Sequence, residues 1–184
     1  MKLAALLLAL VMLTGCGGHQ QELERAMDLR AKLLASSCSF DAEITADYGH
    51  EVYTFGVFCE TDSDGNLGFR ITSPETIADI TGRVRAGAGE LTFRDTAVGF
   101  PLLAEEQLSP VSAPWVFYTA LRNGYLTAAG MDEELLWLTI DDSYEENALT
   151  VDIWLNEDDV PVRAEFLYDG RRILTMVITN FQIV

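Results

Sequence analysis

The chain has only three cysteines, two histidines and 12 lysines and arginines, against 29 acidic residues and a formal charge of -17. So few cations exclude nucleic-acid binding by phosphate neutralisation. They equally exclude adsorption to anionic headgroups through a basic patch. His19 and His50 lie far apart, with no Cys-x-x-Cys or His-Glu-x-x-His spacing, so no zinc site is expected. Asp62-Ser63-Asp64-Gly65 echoes a calcium loop, but Ile71 stands where such a loop needs glutamate, and a solvated turn is expected. Gly87 and Gly89 lack the Lys-Ser/Thr of a phosphate loop, and no serine sits in a nucleophile elbow. The acidic clusters Asp141, Asp142, Glu145, Glu146 and Glu157, Asp158, Asp159 read as exposed hairpin tips. They lack the aromatic subsites a glycosidase would place around paired carboxylates. No cofactor, no metal and no catalytic residue is expected. No repeat, low-complexity stretch or interdomain linker divides the chain, and no apolar run reaches the ~20 residues of a spanning helix.

What is present begins at the N-terminus. Lys2 precedes an apolar run, Leu3 to Leu13, closed by Leu13-Thr14-Gly15-Cys16. A charged start, an apolar stretch and a small-residue cleavage site form the layout of an export signal. The ending resembles the lipobox of bacterial lipoproteins, in which the cut falls before a cysteine that carries diacylglycerol. The resemblance implies a signal peptide over residues 1–15, lipidation at Cys16 with a short tether to residue 18, and one domain over 19–184. It also implies an extracytoplasmic address, with the protein held to the cell membrane by its anchor. Acyl chains stabilise insertion by ~0.8 kcal/mol per methylene, so the anchor does what a domain charged about -18 without Lys2 cannot.

Cys38 and Cys59 remain. Cys38, Phe40, Ala42, Ile44 and Ala46 alternate with Ser39, Asp41, Glu43, Thr45 and Asp47, and Glu51, Tyr53, Phe55, Val57 and Cys59 alternate with Val52, Thr54, Gly56, Phe58 and Glu60, a period-two strand signal on both sides. If Tyr48-Gly49 is a two-residue turn, Cys38 faces Cys59, Phe40 faces Val57 and Ala42 faces Phe55. That register favours a Cys38–Cys59 disulfide in an exported protein. Two buried thiols are the alternative.

Before this hairpin, Leu23, Met27 and Leu34, with Ala26 and Ala31, space as the apolar face of an amphipathic helix over 19–37. After it, Leu67, Phe69 and Ile71 alternate in a third strand, Ser73-Pro74 opens a short helical turn, and strands flank Ala86-Gly87-Ala88-Gly89. Ser112-Ala113-Pro114 starts a helix with Ser112 as cap, stopped by Asn123-Gly124. That helix carries Trp115, Phe117, Tyr118 and Leu121 and is apolar around most of its circumference. It is buried in a core or inserted in an apolar groove. The rest reads as strands: Leu135 to Ile140, Leu149 to Leu155, Val160 to Tyr168 and Arg172 to Phe181. Asp169-Gly170 is the sharpest hairpin turn, placing Phe166 opposite Ile173 and Val162 opposite Val177.

The terminal pattern, Val-Asp-Ile-Trp-Leu-Asn from Val151, Pro-Val-Arg-Ala-Glu from Pro161, then Asp169-Gly170 and Ile178 to Phe181, is similar to the LolA-like and LppX-like lipoproteins, including the germination lipoprotein GerS. The resemblance implies an α+β, mainly β fold: a strongly curved antiparallel sheet, or half-open barrel, with an N-terminal helix and a plug helix on its concave face. It implies binding or handling of lipid, acyl chains or lipoproteins in an apolar groove, with Trp115, Phe117, Tyr118 and Leu121 as groove and plug. The alternative is a non-catalytic envelope module that positions or regulates a cell-envelope or spore-cortex enzyme. A cavity of ~300 Å³ between the sheet and residues 113–122 separates the two.

Overall fold

The computed structural model describes residues 18–85, 88–93, 96–101, 103–104, 107–143 and 149–184. The signal segment, Cys16, Ala86-Gly87, Glu145 and Glu146 therefore lie outside the described residues. Helix α1 (Gly18–Ala35) leads into strands β1 (Cys38–Asp47), β2 (Val52–Thr61), β3 (Leu67–Ser73), β4 (Thr81–Arg85), β5 (Ala88–Phe93) and β6 (Thr96–Pro101). A small hairpin, β7 (Leu103–Ala104) and β8 (Gln107–Leu108), precedes helix α2 (Ala113–Asn123). Five strands finish the chain: β9 (Tyr125–Asp132), β10 (Leu135–Asp141), β11 (Thr150–Leu155), β12 (Pro161–Tyr168) and β13 (Arg171–Ile183).

Eleven strands form one antiparallel sheet in the order β6-β5-β4-β3-β2-β1-β13-β12-β11-β10-β9. The first and last strands meet at its centre, and two meanders run outward to the edges β6 and β9. The sheet is curved and unclosed, with both helices against it, as the half-open barrel requires. Alternation explains the curvature's inner face: Cys38, Phe40, Ala42, Ile44 and Ala46 of β1 are all buried, with polar or exposed residues between them.

Two hairpin registers differ from the sequence expectation. The β1–β2 connection is a four-residue loop, closed by the Tyr48 amide on the Glu51 carbonyl, with Gly49 at φ +83°. A longer loop slides the pairing, so Phe40 faces Cys59 and Ala42 faces Val57. Cys38 and Cys59 are thus diagonal rather than opposite, and both are free thiols. Diagonal cross-strand neighbours sit ~7–8 Å apart, beyond the usual disulfide span. Cys38 instead receives a hydrogen bond on Sγ from the Thr61 hydroxyl at 3.3 Å. At the C-terminal hairpin, Asp169 (φ 50°) and Gly170 (φ 69°) form the expected two-residue turn. A bulge then shifts the ladder, so Phe166 faces Leu174 and Arg163 faces Val177. Residues 74–79 form a turn rather than a turn of helix.

Helix α1 is present, but its buried face is Ala26, Leu29 and Leu33, while Leu23, Met27 and Leu34 are exposed. The reason lies in Arg30, which at 3.6 residues per turn points along the Leu23–Met27–Leu34 stripe. Burying that stripe would bury a guanidinium. With Ala26, Leu29 and Leu33 inward, Arg25 and Arg30 flank the contact and reach partners. Arg25 binds Asp159 at 2.6 Å and the Asn156 carbonyl at 3.1 Å, and Arg30 donates to the Leu121 carbonyl at 2.9 Å.

Candidate functional site

The concave face under α2 is the place where the sequence puts a groove. Phe117 and Tyr118 are fully buried and Leu121 is 3% exposed. Phe117 meets Phe40 of β1 edge-on, centroids 5.6 Å apart, and Phe181 of β13 at 6.5 Å. Phe40 and Phe181 stack at 5.8 Å. Three rings from one helix and the two central strands therefore fill the middle of the sheet. Such pairs are worth ~0.5–1.5 kcal/mol beyond their burial. Towards β6 the face is filled differently. Phe69 lies over Gly82 and Phe100 over Gly89, each glycine on the neighbouring strand; a Cβ on either would come within 2.3 and 2.2 Å of the ring.

The seat of α2 is apolar rather than polar. Ser112 stands at its N-cap but makes no side-chain cap bond, contrary to expectation, and a 3-10 turn, Pro110–Ser112, runs into the helix. Ser112 Oγ, Trp115 Nε1 and Tyr118 OH are buried without a protein partner. The helix ends as expected before Gly124, whose backbone is extended at φ -68° and ψ 170° rather than left-handed. Gly124 is needed for space, since a Cβ there would meet Ile140 Cγ2 at 2.5 Å. Two arginines hold this end. Arg30 lies on the terminal carbonyls, where a cation suits the helix dipole, and burial lowers its pKa. Arg122 donates to the Ser63 carbonyl at 2.6 Å.

Trp115, half-buried, packs against the core without joining the Phe40–Phe117–Phe181 rings. With Tyr118, Arg122 and the turn Asp64-Gly65-Asn66 it lines a notch of 220 Å³. The structure therefore brings Phe117, Tyr118 and Leu121 together in the core and leaves Trp115 partly buried at that core's edge. Asp62 organises the neighbouring turn by accepting from the amides of Asp64 and Asn66 and from the Asn66 side chain at 2.8 Å. Those bonds, the side-chain one foremost, hold its carboxyl below the usual range. Among the described residues no group of three metal-type ligands converges.

Larger clefts lie elsewhere. One of 610 Å³ opens between the tips of the β1–β2 and β12–β13 hairpins. Leu108, Ile173 and Leu174 are its apolar part; Tyr48, Tyr53, His50, Asp169 and Arg171 stand around it. Glu51 accepts the Tyr53 hydroxyl, which raises the phenol's pKa, and burial raises that of Tyr48. A second cleft, 510 Å³, crosses the outer face of β2 to β5, with Gly68 as a gap between Glu60 and Arg83. Sequence reading missed both, because each joins residues from separate hairpins and carries no motif. The Pro-Val-Arg-Ala-Glu segment builds a structural outer-face network. Arg163 stacks on Trp154 at 4.5 Å and pairs with Glu165, which also takes Arg172 at 3.0 Å. Trp154 donates to Asp132 at 2.8 Å.

No protein-family model matches the chain, and no curated protein matches it at a significant level. Solved structures do. A LolA superfamily protein from Nitrosomonas europaea is 12% identical, with a TM-score of 0.49 over 91% of this chain and 94% of that one. The Mycobacterium tuberculosis lipoprotein LppX is 13% identical, with a TM-score of 0.43 over 88% and 93%. A chain in the structure of the CwlD amidase from Clostridioides difficile in complex with the GerS lipoprotein is 13% identical, with a TM-score of 0.47 over 86% and 94%. At these identities and TM-scores the likeness extends to nothing beyond the general course of a curved antiparallel sheet.

Proposed function

We propose that this protein is a lipid-anchored, extracytoplasmic and non-catalytic envelope module that acts by holding a protein partner, an envelope enzyme being the class suggested by the sequence resemblance. The observation that supports this is the filled concave face. Phe117, Tyr118 and Leu121 are core residues, and among the described residues a notch of 220 Å³ opens beside α2 at Trp115 and Arg122. A carrier of acyl chains needs that space open. Native mass spectrometry of protein extracted in mild detergent, with titration of a fluorescent fatty acid, tests the reading. Ligand-free protein that does not take up the probe is expected. A co-purifying acyl ligand displaced by the probe would overturn it.

A second reading rests on the hairpin-tip cleft. Its 610 Å³ and its apolar part at Leu108, Ile173 and Leu174 suit one amphipathic small molecule, with Arg171 and the tyrosines at the polar end. On this reading lipid is handled at the rim of the sheet instead of beneath α2. Leu174→Gln would then abolish fatty-acid uptake, whereas Phe117→Ala would not.

A further inference from the structure

The sequence marks Leu23, Met27 and Leu34 as one apolar stripe, and the fold leaves that stripe unused. The three side chains are 45%, 49% and 51% exposed, on the outer side of a helix whose other face is fully packed. At 3.6 residues per turn they lie within about 40° of one another, and at 1.5 Å per residue they span ~16 Å of helix. Isolated exposed apolar residues are ordinary, but three in line on one helix form a surface.

The stripe's place in the chain indicates what covers it. Helix α1 begins at Gly18, two residues after Cys16. Two extended residues span at most ~7 Å, so an anchor at Cys16 puts the helix start at the bilayer surface. The helix is also the part of the chain that a membrane repels least. Glu22, Glu24 and Asp28 are balanced by Arg25, Arg30 and Lys32, three against three, in a protein of net charge -17. Nor can the helix roll to hide the stripe. Arg25 ties it to Asp159 and Asn156, and Arg30 ties it to the end of α2.

We propose that α1 lies flat on the membrane surface, with Leu23, Met27 and Leu34 set into the boundary between headgroups and acyl chains. This rests on the anchored reading of Cys16. Because α1 is fixed to the sheet, the contact orients the whole domain: the Ala26–Leu29–Leu33 side lies roughly 100° around the helix from the stripe, so the sheet stands beside the helix at a fixed angle to the bilayer. Anchored but free to tumble, the domain would present every face to a partner. With α1 down it presents the same face each time.

The test uses the full chain, purified from membranes and reconstituted in phosphatidylcholine vesicles. An environment-sensitive fluorophore is attached to single cysteines introduced as Leu23→Cys, Met27→Cys, Leu34→Cys and, on another side of the helix, Lys32→Cys. The native Cys38 and Cys59 are buried. Expected are blue-shifted emission and quenching by nitroxide-labelled lipid at 23, 27 and 34 alike, with position 32 remaining water-like. A response at 23 that is lost by 34 means an upright helix and overturns the proposal, as does water-like emission at all positions. A blue shift without vesicles, with a doubled mass, assigns the stripe to a second copy and overturns it too. Labelling of Cys16 itself would show a free thiol there, which removes the anchored reading and this inference together. The other failures leave the anchor standing.

Discussion

Phe117→Ala decides whether α2 is a core element or a removable plug. The ring is fully buried and touches both Phe40 and Phe181. Truncating such a phenylalanine costs ~3–5 kcal/mol through lost transfer energy and the cavity left behind. The two aromatic contacts place the value in the upper part of that range. For a domain of this size each kcal/mol lowers Tm by ~2–4 °C, so a loss of roughly 10 °C follows. Urea unfolding, followed by tryptophan fluorescence, reads the change as a lower midpoint at unchanged slope. Phe40→Ala and the double variant complete a cycle, with a coupling of ~0.5–1.5 kcal/mol expected between the rings. A helix evolved to move aside would behave differently. Its truncation would cost under ~1 kcal/mol and would create fatty-acid binding. That pair of results would refute the packed-core reading.

The remaining predictions concern the two hairpins and the outer face. Intact mass is expected to be the same with and without reductant, and thiol reagents to react only on unfolding, since burial raises the pKa of Cys38 and pushes that of Cys59 well up. The observed register puts Thr61 opposite Cys38, so Thr61→Cys is expected to cross-link to Cys38 under oxidising conditions, shown by a two-dalton mass loss and a shifted Cys38 peptide. Glu165→Gln is expected to cost about 1 kcal/mol in urea titrations, because Glu165 is 11% exposed but its arginine partners are 47% and 57% exposed and screened. Asp62 has its carboxyl lowered on folding, so it stabilises above its ordinary value near ~3.9, and that stability is lost as pH falls through the lower folded value. Asp62→Ala is expected to lower Tm at pH 7 and to match wild type at pH 2.

Local chemistry was legible in the sequence where a single residue or turn decides the outcome. Period-two alternation placed β1, β2, β3 and β10 to β13, and Asp169-Gly170 gave its two-residue turn. The mostly apolar circumference of residues 113–122 pointed to a helix held in a core or a groove, and the helix is largely buried. What failed were choices between two equally good local solutions. A hairpin loop of two or four residues fits Asp47 to Val52 by pattern, since both keep the same faces together, and the chain takes the four-residue loop. That choice carries Cys38 past Cys59. On α1, both the Leu23 and the Ala26 stripes have helical spacing, and the partners of Arg25 and Arg30, 90 or more residues away, decide between them. Likewise the bulge at Ile173, where the pairing passes from Leu167–Arg172 to Phe166–Leu174, lies beyond the turn, and no residue at the turn signals it.

The filled core and the exposed stripe bear on the same question. A half-open sheet exposes its inner face unless something covers it, and carriers solve this with a ligand that comes and goes. Here Phe117, Phe69 and Phe100 pack on that face from within the chain. On the proposed reading, in which the inner face is taken up by packing, recognition uses the outside. The outside is not uniform: α1 is neutral with an apolar stripe, whereas the rest of the chain carries the whole net charge. On the anchored reading, that asymmetry is enough to set which way the domain faces. The acidic surfaces are pushed from anionic lipid while the neutral helix is held against it. Raising ionic strength weakens the repulsion but not the apolar contact. Quenching at position 34 should therefore persist in high salt, and its loss there would mean that charge alone sets the orientation.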